Sequence, residues 1–130
     1  MARVRKNAKR NWLALTLLCF GGSVAQAVVL ECRPTTRFQC FNDDRPCLRN
    51  LPLEPWILID TEPPTYSRCS PAGCSPLELK GELTNGIFWF TGGARKINFQ
   101  VRLNTLNFVE VEGMLGPEPI TTGGQCKPRV

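Results

Sequence analysis

Residues 77–103 read LELKGELTNGIFWFTGGARKINFQVRL, and this stretch decides the fold. Asn85-Gly86 interrupts two runs rich in apolar and β-branched residues, Leu77–Thr84 and Ile87–Thr91. An Asn-Gly pair between such runs favours a two-residue hairpin, because both central positions of that turn need positive φ. Gly92-Gly93 marks a second reversal, into Lys96–Leu103. With two-residue turns at both places, Leu83 faces Phe88, Gly81 faces Phe90 and Phe88 faces Ile97. One face then gathers Leu79, Leu83, Phe88, Phe90, Ile97, Phe99 and Val101. The other gathers Lys80, Glu82, Thr84, Lys96, Asn98 and Gln100. Side chains alternate with a period of two, so one consistent register is needed to produce this division. The expectation is an antiparallel meander with one buried face.

Working outward, Trp56–Asp60 (WILID) and Thr65–Cys69 (TYSRC) flank Thr61-Glu62-Pro63-Pro64, which reads as another hairpin. Phe108–Glu112 gives a further strand, followed by a Gly- and Pro-rich tail that reaches Cys126. Residues 28–55 hold three cysteines and four prolines and show no sustained period, so they read as a pinned loop segment with one short strand at Val28–Cys32. The fold class expected is all-β. It is a small disulfide-stapled antiparallel meander, barrel- or sandwich-like, with an irregular Cys-rich N-terminal segment. The domains are 1–27 as a signal peptide and 28–130 as a single mature β domain, divided into the 28–55 loop segment and the 56–126 meander.

The leader reading rests on MARVRKNAKR, which carries Arg3, Arg5, Lys6, Lys9 and Arg10 and no acid. An apolar run from Trp12 to Phe20 follows, then Gly21-Gly22-Ser23 and the small-x-small site Ala25-Gln26-Ala27. That order is the pattern of a secretory signal, with the cut placed after Ala27. The alternative is an uncleaved anchor over Trp12–Leu30, which Gly21, Gly22, Ser23 and Gln26 dilute. Cys19 follows Leu17-Leu18 rather than the small residue a lipoprotein site needs. The net charge of +5 comes from the leader, since all 11 acids lie after residue 27. A formally neutral mature chain lacks the basic footprint of a nucleic-acid binder. Membrane contact is expected only through the signal peptide if it stays uncleaved. The location expected is periplasmic or secreted.

Beyond the leader the cysteines are Cys32, Cys40, Cys47, Cys69, Cys74 and Cys126. An even set in an exported domain reads as disulfides, and six cysteines allow about 15 pairings. Cys40–Cys47 and Cys69–Cys74 would close local loops, the second through the turn Ser70-Pro71-Ala72-Gly73. Cys32–Cys126 would join the two ends and remove the most loop entropy. The spacings Cys40-x6-Cys47 and Cys69-x4-Cys74 do not suit a zinc knuckle, and the chain has no histidine. Without histidine, Ser-His-Asp and Cys-His catalysis are excluded. Carboxylate pairs exist at Asp43-Asp44 and at Glu110/Glu112, which share one strand face. Paired-carboxylate hydrolysis needs acids across a substrate cleft, which so small a domain has little room to build. No enzyme activity and no cofactor are expected.

Ile87 and Trp89 fall on the polar face of the meander, with Trp89 opposite Glu82 and Lys96. An apolar pair there marks either a binding surface or a patch covered by the Cys-rich segment. The function expected is a non-catalytic binding or inhibitor-like module of the cell envelope, partnered by an envelope protein or an apolar ligand. The alternative is a structural or stress-related envelope protein without a discrete ligand.

WILID, TYSRC-x-x-x-GC, NGIF and FVEV before a last cysteine resemble a family of small uncharacterised exported proteins of proteobacteria. The residues that carry the resemblance are Trp56, Ile59 and Asp60; Tyr66, Ser67, Arg68, Cys69, Gly73 and Cys74; Phe108 to Val111; and Cys126. The chain departs from that pattern after FVEV, at Glu112-Gly113-Met114. The resemblance implies an extracytoplasmic, disulfide-bonded protein and implies no activity.

Overall fold

A computed structural model describes residues 27–53 and 55–129, so the leader reading lies outside the described residues apart from Ala27. The described chain is all-β. Its strands are β1 (Val29–Gln39), β2 (Trp56–Thr61), β3 (Pro64–Ser70), β4 (Gly73–Leu77), β5 (Lys80–Thr84), β6 (Ile87–Gly92), β7 (Ile97–Arg102), β8 (Asn107–Glu112) and β9 (Ile120–Pro128). They form one antiparallel sheet in the order β4-β3-β2-β1-β9-β8-β7-β6-β5. Sequence neighbours are sheet neighbours in two blocks, β1–β4 and β5–β9, and the β1–β9 ladder joins the blocks. The sheet curls into a half-barrel. Its two outermost strands, β4 and β5, are separated in the chain only by Glu78 and Leu79. At that corner a Cβ added to Gly81 of β5 would lie 2.5 Å from Pro64 Cβ of β3, so the two ends of the sheet touch there.

The concave side is the core. Leu30, Ile57, Ile59, Tyr66, Phe88, Phe90, Phe99, Val101 and Phe108 are buried together, each on the inward phase of its strand. Tyr66 meets Phe99 edge-on at 5.6 Å and Phe90 at a tilt at 5.7 Å, while Phe99 and Phe108 stack. Three disulfides tie this sheet: Cys32–Cys126 across β1 and β9, Cys69–Cys74 across β3 and β4, and Cys40–Cys47 in the loop after β1. The first two join directly opposed residues of a ladder.

The NG hairpin pairs Leu83 with Phe88 and Gly81 with Phe90. The next turn is longer than two residues. Gly92 pairs with Ile97, so Gly93–Lys96 make a four-residue turn and Phe88 faces Val101 rather than Ile97. The slip is an even number of residues, and therefore the apolar face survives it unchanged. Gly93 and Lys96 both adopt positive φ there, which a two-residue turn at Gly92-Gly93 would not ask of Lys96. Leu83 keeps its inward phase but is 57% exposed, because it lies at the open rim of the half-barrel.

Two segments are more ordered than their composition suggests. β1 extends to Gln39 instead of stopping at Cys32. Its prolyl residue, Pro34, is tolerated because β2 pairs only with Val29–Cys32, which leaves that side of β1 without a ladder from residue 33 onward. The loop takes up part of this side, with Leu51 N–H bonded to Arg37 O. The tail is β9, nine residues long. Its Gly123-Gly124 is not a turn but a close approach to the bulge between Pro34 and Thr36. A Cβ at Gly124 would fall 2.2 Å from Arg33 O and 2.8 Å from the Phe108 ring. Gly124→Ala is therefore expected to destabilise the fold by about 3 kcal/mol. Gly123→Ala meets the Thr36 hydroxyl at 3.1 Å and should cost less than half as much, which urea midpoints of the two variants would compare.

Candidate functional site

The two ends of the half-barrel differ in chemistry. At one end, three turns converge with the start of β1 and the end of β9 around an opening. Leu103 N–H bonds to Gly86 O, joining the β7–β8 turn to the NG turn. Val28 N–H donates to Thr61 Oγ1 at 3.0 Å, and Thr61 returns its hydroxyl and its backbone N–H to Val28 O at 3.2 and 3.1 Å. Cys126 N–H bonds to Leu106 O, which draws the β7–β8 turn over the start of the β9–β1 pair. Between these elements lies a cavity of about 590 Å³.

The floor of this mouth is Leu30 and Phe88, both buried, and its walls are Val28, Pro64, Leu103, Leu106 and Pro128. Leu83 stands on the rim. Thr61 and Glu62 supply the polar groups; Glu82 borders the opening, but its carboxylate lies on the outer face, where it accepts from the Thr84 hydroxyl opposite Trp89. The size and the apolar lining with few polar groups fit what small-molecule sites of β-barrel mouths use. The chemistry it offers is desolvation of an apolar body, with hydroxyl and carboxylate oxygens at the entrance.

The opposite end is polar and filled. Glu110 of β8 is buried and accepts hydrogen bonds from the Tyr66 hydroxyl and from Arg68 Nη2 at 2.6 Å. Arg68 also reaches Glu112 at 3.2 Å, and Arg95 of the β6–β7 turn meets Glu112 at 3.4 Å. Burial pushes the Glu110 carboxyl above the ordinary glutamate range, while Arg68 and the Tyr66 hydroxyl pull it back. Burial, then the Glu110 charge, raises the Tyr66 phenol. Burial opposes the charge on Arg68, but Glu110, Tyr66 and Glu112 outweigh it and raise its pKa. Tyr66 and Glu110 are both buried, so their hydrogen-bonded cluster fills that end of the half-barrel.

Ile87 and Trp89 lie on the outer face, both half-buried. Trp89 faces Glu82 on one side and Gln100 on the other, where Lys96 was expected; the longer β6–β7 turn moves Lys96 out of the ladder. The Cys-rich segment runs elsewhere. β1 sits between β2 and β9, and Asn42 is hydrogen-bonded to Gly116 and Pro117 in the β8–β9 connection. The structure thus leaves Ile87 and Trp89 apart from the mouth floor, on the reverse side of the same strand. Sequence reading missed the mouth, whose walls come from five separated segments, and the partners of Glu110, which lie 42 and 44 residues away in the chain. The shared strand face of Glu110 and Glu112 was the one signal available for the second.

No protein-family model, curated protein or solved structure matches this chain.

Proposed function

We propose that the mature chain is an exported, non-catalytic binding module of the cell envelope, periplasmic or secreted, which receives an apolar ligand in the mouth of its half-barrel. The observation that carries this reading is the cavity of about 590 Å³ with Leu30 and Phe88 as its floor and an exposed Leu83 at its rim. An apolar opening of this kind is costly to leave facing water and is a common mark of a binding surface. Three disulfides are consistent with an oxidising destination, and the basic–apolar–small leader supplies the route to it.

The test is the fluorescence of N-phenyl-1-naphthylamine titrated with residues 28–130. The probe is expected to brighten on binding, and Leu83→Glu to weaken it by roughly tenfold, since a charge then occupies the rim. Leu83 is exposed, so the substitution leaves the core intact. Val109→Glu, at an exposed position of the outer face, and Trp89→Ala should leave binding unchanged. If Trp89→Ala rather than Leu83→Glu abolishes the signal, the binding surface is the outer face and the mouth is not the site.

A further inference from the structure

β5 is the last strand of the sheet, and it pairs with β6 alone. Asn85 and Gly86, both at positive φ, close a two-residue turn, so Thr84 and Ile87 exchange both backbone hydrogen bonds. Alternation along the strand then turns the backbone groups of Lys80, Glu82 and Thr84 toward β6. Those of Gly81 and Leu83 turn the other way, into the mouth that both residues line. Among the described residues no backbone group bonds to these two N–H and two C=O groups.

The wall they face cannot answer them. On the β2–β3 turn, Thr61 gives its N–H to Val28 O, Glu62 gives its own to Asp60 Oδ1 at 3.0 Å, and Pro63 and Pro64 have none. Val28 N–H is spent on Thr61 Oγ1. The fold therefore keeps a strand edge open along an apolar cavity. A hydrocarbon would fill the cavity but would take water from those four groups and bond none of them, which costs free energy. An extended peptide would fill the cavity and also continue the ladder.

The alternation of β5 sets what an added antiparallel strand must carry. Its residue opposite Leu83 points inward beside Phe88 and must be apolar. Its residue opposite Gly81 must be small, because a Cβ on Gly81 would already lie 2.5 Å from Pro64 Cβ. The residue between them points outward beside Glu82. That carboxylate forms no salt bridge among the described residues and accepts only the Thr84 hydroxyl, so a basic side chain complements it. A second copy of the chain fits worse. Two β5 edges paired through all these groups would set Glu82 against its own counterpart, and like charges directly opposed are destabilising.

We propose that the mouth takes an extended peptide segment, which adds to β5 as an antiparallel strand and presents an apolar, a basic and a small residue in that order. This rests on the reading of the mouth as the binding site and names the class of its ligand.

Displacement of N-phenyl-1-naphthylamine from residues 28–130 tests it, with the end-blocked hexapeptide Thr-Val-Leu-Lys-Ala-Thr as competitor. Its controls are the peptide N-methylated at leucine, the peptide with glutamate in place of lysine, and dodecanol. The hexapeptide is expected to displace the probe. N-methylation removes the N–H that Leu83 O accepts and should weaken displacement by roughly tenfold. The glutamate peptide should be weaker by about threefold, and Glu82→Lys, at an exposed position, should reverse that order. Exchange of the Leu83 amide proton should slow with the hexapeptide and not with dodecanol. An N-methylated peptide that competes equally, or dodecanol displacing where no peptide does, would overturn strand addition and leave the mouth an apolar site. An order that Glu82→Lys does not reverse would overturn the basic position. No probe binding at all would remove the reading of the mouth along with it.

Discussion

Replacing Cys32 and Cys126 together by alanine is expected to lower stability by about 4–5 kcal/mol, the largest loss from any of the three disulfides. The reason lies in the unfolded chain. This bond spans 94 residues, so in the unfolded state it closes one loop around almost the whole described chain. The Cys69–Cys74 bond spans 5 residues, and by the same loop-entropy relation its removal should cost about 2 kcal/mol. The folded state adds to the difference. Cys32 and Cys126 are buried in the ladder that unites the two blocks of the sheet, so their truncation also loosens the core. Urea unfolding of the two double variants, followed by intrinsic fluorescence, gives the comparison. Equal losses would mean that the β1–β9 ladder holds without its crosslink and that the denatured chain is already compact.

Glu110→Ala is the substitution with the next largest expected effect, a loss of about 3–5 kcal/mol. It takes the acceptor away from the Tyr66 hydroxyl and from Arg68, and a buried guanidinium that loses a partner costs far more than the pair itself contributes. Glu110→Gln keeps an oxygen in place and should cost much less. The same pair of proteins shows a pH effect with a definite sign. Burial holds the Glu110 carboxyl above its ordinary value in the folded protein. As pH rises past the ordinary glutamate pKa, the unfolded chain releases this proton before the folded chain does. Glu110's contribution to stability is therefore full below that value, and falls until pH passes the raised folded value. Glu110→Gln lacks this decline, so its deficit against the wild type should shrink as pH rises through the window. Denaturation midpoints between about pH 4 and pH 7 measure it. A deficit that grows with pH would show that Arg68 dominates and that the carboxyl is held ionised.

The middle of the chain was legible because its signals are local. Asn85-Gly86 places the hairpin, and period-two alternation assigns Phe88, Phe90, Phe99 and Val101 to the core whether the next turn has two residues or four. Only the register depended on that length. The continuation of β1 past Cys32 and the whole of β9 were not legible, since Pro34 and Gly123-Gly124 carry the composition of loops. Pro34 is acceptable where β2 has ended, and Gly124 is needed where Arg33 O and the Phe108 ring approach. Both are facts of tertiary contact. The mouth was hidden for a related reason. Leu83 reads as a core residue from its phase, and only the missing cover above it makes it a rim residue. Glu110 and Arg68 fall on strands that never pair with each other, and no spacing rule connects them.

The central position of the β1–β9 ladder bears on how the protein is made. A chain synthesised from its N-terminus presents Cys32, Cys40 and Cys47 within one short stretch, long before Cys126 exists. During that interval the thiol of Cys32 has only neighbours other than its final partner to react with, and Cys40 is the nearest in sequence. The flanking hairpins can assemble as they emerge, but the middle of the sheet must wait for the last strand. Reaching the Cys32–Cys126 bond thus requires that Cys32 stay reduced until the last strand arrives, or that any earlier bond it forms be undone by thiol–disulfide exchange.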